Sequence, residues 1–189
     1  MNLFEAIYQR RAVRHFSDAE VLPSTVEELL RAAVQAPSAR NLQPWIFAVF
    51  HGRKRLSEYS EQAKEHLVRT TEPSFGLDPR IDQYANAAVN IFHGADTLIV
   101  ICARPSRFFP VEDCFLAAQN LMLAAHGLGL GTCPVGFARP WFNLPHVKNQ
   151  LGMPSHCTAV LPIVVGHPAG IPPVVSRDEP TIACWHWDP

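Results

Sequence analysis

The apolar positions of this chain change their period several times, and each change marks an element. Over residues 2–9, Leu3, Phe4 and Ile7 share one side of a short helix. A second helical block opens at Pro23-Ser24-Thr25-Val26-Glu27, where Ser24 reads as a capping-box N-cap with Glu27 three residues on. It runs to about Gln35 with Val26, Leu29, Leu30 and Ala33 inward, and Pro37 ends it. Residues 45–50 form a short apolar run that predicts a buried strand, and residues 53–69 an amphipathic helix. Residues 72–79, with Pro73, Gly76 and Pro79, predict a loop, and residues 81–92 are again helix-like. Residues 97–102 are rich in β-branched side chains and predict a strand. Residues 111–126 are apolar on nearly every face, the pattern of a helix buried in a core or against a partner, with Asp113 read as its N-cap. Gly127, Gly129 and Gly131 stop it. Residues 145–151 predict a short helix and 158–165 a buried strand. Residues 167–189 hold five prolines and end near Trp185-His186-Trp187, an extended arm whose tryptophans need a surface to cover them. The pattern predicts one α+β domain over residues 1–189, with 167–189 as its C-terminal arm and no internal repeat.

Composition sharpens this picture. Hydrophobic residues make up 48% of the 189 and charged residues 17%, below the ~25% usual for globular domains. Few charges on a chain this size predict surface hidden in a partner, and a homodimer is the commonest solution. The net charge of −1 points to neither nucleic acid nor a membrane surface. Its distribution is uneven: from Phe115 to Arg177 there is no Asp or Glu, and Arg139, Lys148 and Arg177 are the only Lys or Arg. Such a stretch fits a neutral buried half of the fold, or a wall against which an anion sits. The cysteines, Cys102, Cys114, Cys133, Cys157 and Cys184, include no Cys-x-x-Cys pair, so no metal site is expected. An odd cysteine number and the lack of an apolar signal region predict a cytoplasmic protein with reduced thiols.

Four segments carry candidate chemistry. Arg10-Arg11-Ala12-Val13-Arg14 gathers three guanidiniums in five residues. They repel one another unless an anion sits among them, and phosphate matches their planar donor forks; a solvated basic turn at a helix end is the plain alternative. Residues 36–45, Ala-Pro-Ser-Ala-Arg-Asn-Leu-Gln-Pro-Trp, form a polar loop framed by Pro37 and Pro44. Ser38, Asn41 and Gln43 can hydrogen-bond a sugar-like chain or a heterocycle edge, or simply close a turn. Residues 127–137 are glycine-rich, but they follow a helix, lack G-x-G-x-x-G spacing and have no acidic residue about 20 positions on, which excludes a dinucleotide loop. What remains is a helix stop and an apolar turn in which Gly136 lets backbone N–H groups approach a flat ligand. Gly166-His167-Pro168-Ala169 is followed by Arg177, the last basic residue, which could reach the same anion. His15 reads as positional and Cys133 as structural.

In this order the segments resemble the FMN-dependent nitroreductase family over nearly the whole chain. Arg10 to Arg14 is similar to its R-R-S-V-R start, and residues 36–45 to its A-P-S-x-x-N-x-Q-P-W signature. Ala118-Gln119-Asn120-Leu121 with residues 127–136 is similar to its A-x-Q-N-L…G-L-G-T-C-x-x-G segment, and residues 166–169 to its G-Y-P-A turn. Ala12 replaces the usual Ser, Asp96 a common Pro, and Val175 a frequent basic residue. The resemblance implies a mixed sheet flanked by helices and an arm-exchanged homodimer with two FMN molecules at the interface. It implies Arg10, Arg11, Ala12, Arg14 and Arg177 around the FMN phosphate and ribityl end, and Ser38, Ala39 and Asn41 approaching the FMN held mainly by the other subunit. Pro134, Val135 and Gly136 would lie against the isoalloxazine, with the Gly136 N–H at N5 and no catalytic side chain. By the same resemblance NADH or NADPH delivers hydride to the flavin, and a nitroaromatic or quinone then takes it. Residues 57–79 and 138–143 would shape the acceptor pocket, with Phe75, Trp141 and Phe142 as stacking candidates. A flavin carrier without turnover, or a flavin enzyme performing dehalogenation or dehydrogenation, are the alternatives.

Overall fold

The computed structural model describes residues 1–70, 86 and 88–187; the loop expected at 72–79, Phe75 included, lies outside them. β2 (Thr97–Ala103) is buried along all seven residues. Its alternation divides two cores. Ile99, Ile101 and Ala103 join one cluster, while Leu98, Val100 and Cys102 join the other, as a period of two on a sheet covered on both faces requires. β1 (Trp45–His51) lies on one side of β2, and β4 (Thr158–Gly166) on the other. β3 (Gly131–Pro134) closes the sheet in the order β1-β2-β4-β3, every pair antiparallel. A parallel element is present as the isolated bridge of Ala12 to Thr132. Helices cover both faces: α2 (Pro23–Ala33) and α4 (Pro110–Gly127) pack on the first cluster, α3 (Arg53–Thr70), α5 (Arg139–Phe142) and α6 (Pro145–Gln150) on the second. The α+β class with helices flanking one sheet is as expected.

Local details differ in five places. α1 (Leu3–Gln9) is capped by Asn2 and Glu5 in a reciprocal capping box, and its apolar side chains face out: Leu3 and Phe4 are 65% and 67% exposed. α2 begins at Pro23, not Ser24; Pro at the first helical position needs no N–H partner, so Leu22 takes the N-cap place without a side-chain bond. α4 likewise begins at Pro110, after Phe109 in the left-handed region, which puts Asp113 inside the first turn rather than at the cap. Its carboxylate instead accepts the Ala39 N–H at 3.1 and 3.2 Å. The glycine-rich segment read as a turn contains β3, because Gly131 and Thr132 can press against the N-terminal segment while pairing with β4. Residues 88–92 are turns rather than the end of a helix; the rest of 81–92, apart from 86, is outside the described residues.

Candidate functional site

Residues 10–17 form a strap laid over the open edge of β3 and the end of β4. The Val13 N–H donates to Thr132 O at 2.9 Å, the Ser17 N–H to His167 O at 2.8 Å, and the Ala169 N–H to His15 O at 3.0 Å. Two glycines make the close approach possible. A Cβ on Gly131 would stand 2.7 Å from Val13, and one on Gly166 2.7 Å from the Phe16 ring. Val13 is buried, and Ala12 and Arg14, one residue to either side, fall on the opposite face of an extended strap.

That alternation decides where the guanidiniums go. Arg14 lines a cavity of about 370 Å³ with Ile91, His93, Cys133, Pro134, Val135, Gly136 and Phe137. Val135 is fixed by its N–H to Pro162 O at 2.8 Å. A Cβ placed on Gly136 meets nothing within 4 Å, so it would project into free space. Burial raises the Cys133 thiol, and Arg14 and then Arg10 pull it back. Cys133 stays structural, although the fold gives it the cationic neighbours its sequence lacks. Arg10 and Arg11 line a smaller cavity of about 180 Å³ with His126, Thr132, Pro168 and Pro172. Arg10 is half-buried, and burial, then Arg11, then Arg177 hold its pKa below the ordinary value. Arg177 is thus close enough to act on Arg10, as anticipated. Among the described residues neither Arg10, Arg11, Arg14 nor Arg177 has a carboxylate partner.

Arg11 is used differently from its neighbours. Its guanidinium donates to Tyr8 O at 2.7 Å, Arg10 O at 2.8 Å and Val175 O at 3.4 Å. It ties α1 to the arm, while its buried Nε and the buried Nε2 of His126 have no partner. Burial, then Arg10 and Arg11, lower His126.

The polar loop stands elsewhere. Ser38 Oγ accepts the Gln43 N–H at 3.0 Å, and Asn41 Oδ1 accepts from Gln43 Nε2 at 3.1 Å. Arg40, Asn41 and Gln43 all have positive φ (52°, 56° and 46°), a costly backbone for residues with side chains. The loop is bolted in place by Asp113, by Arg104 donating to Gln43 O at 2.8 Å, and by Arg40 stacked 4.5 Å over Phe108. Asp113 lies in the first turn of α4 and Arg104 and Phe108 in the segment between β2 and that helix, whereas Arg10, Arg11 and His126 meet at its C-terminal end. Thirteen residues separate Asp113 from His126 along that helix, roughly 20 Å at 1.5 Å per residue. One chain therefore does not bring Ser38, Ala39 and Asn41 to Arg10 and Arg14.

Trp141 and Phe142, expected near the acceptor, are buried in the core with rings 4.7 Å apart and Tyr59 against Trp141. They support the cavity floor from behind and are not free to stack a ligand. His93 is the cavity residue that sequence reasoning missed; the His93-Gly94 pair just before a strand, a turn signal, could have found it.

Helices on both faces of one four-stranded sheet, with an arginine cluster that has no carboxylate partner among the described residues, define the fold and the candidate site. The model of the nitroreductase family matches residues 7–167, and the chain belongs to that family. It is 30% identical over 86% of its length to a protein of Archaeoglobus fulgidus, provisionally named NADH dehydrogenase/NAD(P)H nitroreductase, of which 83% is covered. Its fold is similar to that of an FMN-bound nitroreductase from Bacteroides fragilis, with a TM-score of 0.79, 22% identity and 97% and 96% of the two chains covered. It is also similar to iodotyrosine deiodinase bound to FMN and 3-iodo-L-tyrosine, with a TM-score of 0.75, 24% identity and 96% and 97% covered. Among the described residues no helix is long and apolar enough to cross a membrane, and no three His, Cys, Asp or Glu side chains group as metal ligands.

Proposed function

We propose that this chain is an FMN-dependent oxidoreductase of the cytoplasm. It takes a hydride from NADH or NADPH and passes it to an oxidised small molecule such as a nitroaromatic or quinone. The observation that carries the reading is the cavity in which Arg14 meets the Val135–Gly136 backbone, with Arg10 on the same strap lining a second one. The residues fit the cofactor. Guanidiniums without carboxylate partners, and buried Nε and Nε2 atoms on Arg11 and His126, await an anion with several acceptor oxygens. Gly136 leaves room where any other side chain would fill the cavity. Phosphate falls to Arg10 and Arg177, with Arg11 and Ala12 shaping the strap around it, and the flat ring to Pro134, Val135 and Gly136.

When bound, FMN supplies the hydride relay at its N5. The chain's part is positional and electrostatic. The Gly136 N–H would serve as a donor to the bound ring, Arg14 would set positive charge beside it, and the buried Trp141 and Phe142 belong to the same core cluster as Cys133 and Val135. Such a site needs no side-chain general acid. Family membership leaves the acceptor open, and the FMN-bound deiodinase fold keeps dehalogenation as the second reading.

The site is completed by a second copy. The chain exposes 11691 Å², against about 9,000 Å² for a monomer of 21.0 kDa. Leu3, Phe4 and Tyr8 of α1, Phe115 and Leu116 of α4, and Trp185 and Trp187 of the arm are all exposed. Burying these in a homodimer with exchanged arms would bring the partner's Ser38 loop over the cavity.

The test is an absorbance spectrum of the purified protein, followed by anaerobic NADH or NADPH. A flavin spectrum that bleaches with nicotinamide and returns on adding a quinone or nitroaromatic is the expected result. A flavin that never bleaches favours a carrier, and a colourless protein that takes up no FMN contradicts the proposal.

A further inference from the structure

The turn leading into β2 places a histidine where glycine or asparagine is the easier residue. The Ala95 N–H donates to Phe92 O at 3.0 Å, and the two residues between are left-handed, His93 at φ 57° and Gly94 at φ 71°. That is the backbone of a type I′ turn. Gly94 adopts it freely; His93 does so against the steric penalty of its Cβ. The surroundings enforce it. Ile91, Phe92 and Ala95 are buried, the Ile91 N–H donates to Ser60 Oγ at 2.9 Å, and the Phe92 N–H to Asn90 Oδ1 at 2.8 Å. A backbone outlier held this firmly asks what its side chain is for. The His93 imidazole lines the same cavity as Arg14, Val135 and Gly136, and its ring makes no hydrogen bond among the described residues.

Among the described residues the charges that act on it are cationic. Arg14 and His15 face it from the strap, and Cys133 from β3. On the α3 side Lys64 is paired with Glu61 at 2.9 Å and donates to Asn86 O at 3.3 Å. Burial first, then Arg14 and His15, hold His93 neutral, with its pKa down to about 4. A bare base beside a fixed cation is set to respond when negative charge arrives.

We propose that His93 is the proton-accepting residue of this cavity, taking a proton from solvent when a ligand on the Val135–Gly136 bed gains negative charge. The proposal rests on the flavin reading of the site. Hydride transfer carries two electrons and one proton to the ring and leaves it one unit more negative. The second proton, from solvent, binds the bare imidazole nitrogen, and the oxidised nicotinamide departs. Arg14 then no longer acts on His93 alone, because the new charge offsets it. Above about pH 4 His93 is neutral before reduction, and the new negative charge raises its pKa so that it takes up the proton.

The test compares the FMN-loaded protein with His93→Asn, which accepts left-handed backbone but cannot take the proton. Midpoint potentials are measured from about pH 5 to 6.5, where one extra proton per two electrons adds a tenfold change in the reduction equilibrium per pH unit, about 30 mV. The wild type should show that steeper slope. In weak buffer with an indicator dye it should also take up roughly one more proton per flavin on anaerobic photoreduction. Equal slopes and equal proton counts overturn the proposal while leaving the flavin reading intact; a protein that takes up no FMN overturns both. Should His93→Asn fail to load, imidazole ¹⁵N shifts of the wild type decide: a ring that stays neutral in both redox states at about pH 6 contradicts the assignment.

Discussion

The two ends of α4 carry the two halves of the ligand chemistry, and they are finished to different degrees. At the C-terminal end the strap, β3 and the arm bring Arg10, Arg14, Val135 and Gly136 together within one chain. At the N-terminal end the Ser38 loop is equally well fixed, by Asp113, Arg104 and Arg40 over Phe108, yet nothing from the strap reaches it. Rigidity and completeness are thus separate properties: each half is held firmly on its own, and the proposed homodimer is the arrangement that would join the Ser38 loop to the arginine end.

The largest expected effect comes from removing the charge at the finished end. Arg10→Ala with Arg14→Ala removes two charge-assisted contacts of about 1.5–3 kcal/mol each, so FMN affinity should fall by about a hundredfold or more. Full flavin occupancy after purification would refute the phosphate assignment. Gly136→Val should weaken FMN nearly as much while leaving Tm unchanged, because its side chain enters the cavity and meets no protein atom; a matching loss of Tm would mean that the turn is structural. Gly166→Val drives a side chain into Phe16. It should cost about 1–3 kcal/mol of stability, read by denaturant unfolding, and loosen the strap. Asp113→Ala removes a buried carboxylate from the Ala39 N–H. That costs about 1.5–3 kcal/mol and should weaken flavin binding only if the Ser38 loop serves a second copy.

The smallest effect is on pH. Burial, Arg14 and His15 lower His93 to about 4 against an ordinary 6.5. The unfolded chain therefore takes up a proton that the flavin-free native state refuses. Stability is unaffected above 6.5 and falls as the pH drops toward 4, and His126 acts in the same direction. Unfolding midpoints of His93→Asn should fall less over that range than those of the wild type.

Much of the finished end could be read from the chain itself. Three arginines in five residues point to an anion site or a solvated basic turn, and the strand read at 97–102 stands as β2 in its β-branched run. The reading failed where one residue type serves two purposes. Glycines at 127–131 stop a helix, but Gly131 also opens a strand that must meet Val13. Asp113 resembles a cap, yet Pro110 has already begun the helix and freed the carboxylate for Ala39. Trp141 and Phe142 look like ligand-stacking rings because sequence does not tell which face of a turn is covered. The helix α1 was legible in its apolar spacing, but that spacing does not tell that its apolar face stays exposed in one chain.

The division of the site between two copies is tested most directly by mixing. One variant carries Arg10→Ala and Arg14→Ala; the other carries Ser38→Ala and Asn41→Ala. Each alone should hold little FMN. After the two are unfolded and refolded together, mixed dimers contain one site with both halves intact, so flavin binding and nicotinamide-dependent bleaching should recover toward half of the wild-type level per mixed dimer. No recovery from a mixture that sediments as dimers would contradict a shared site.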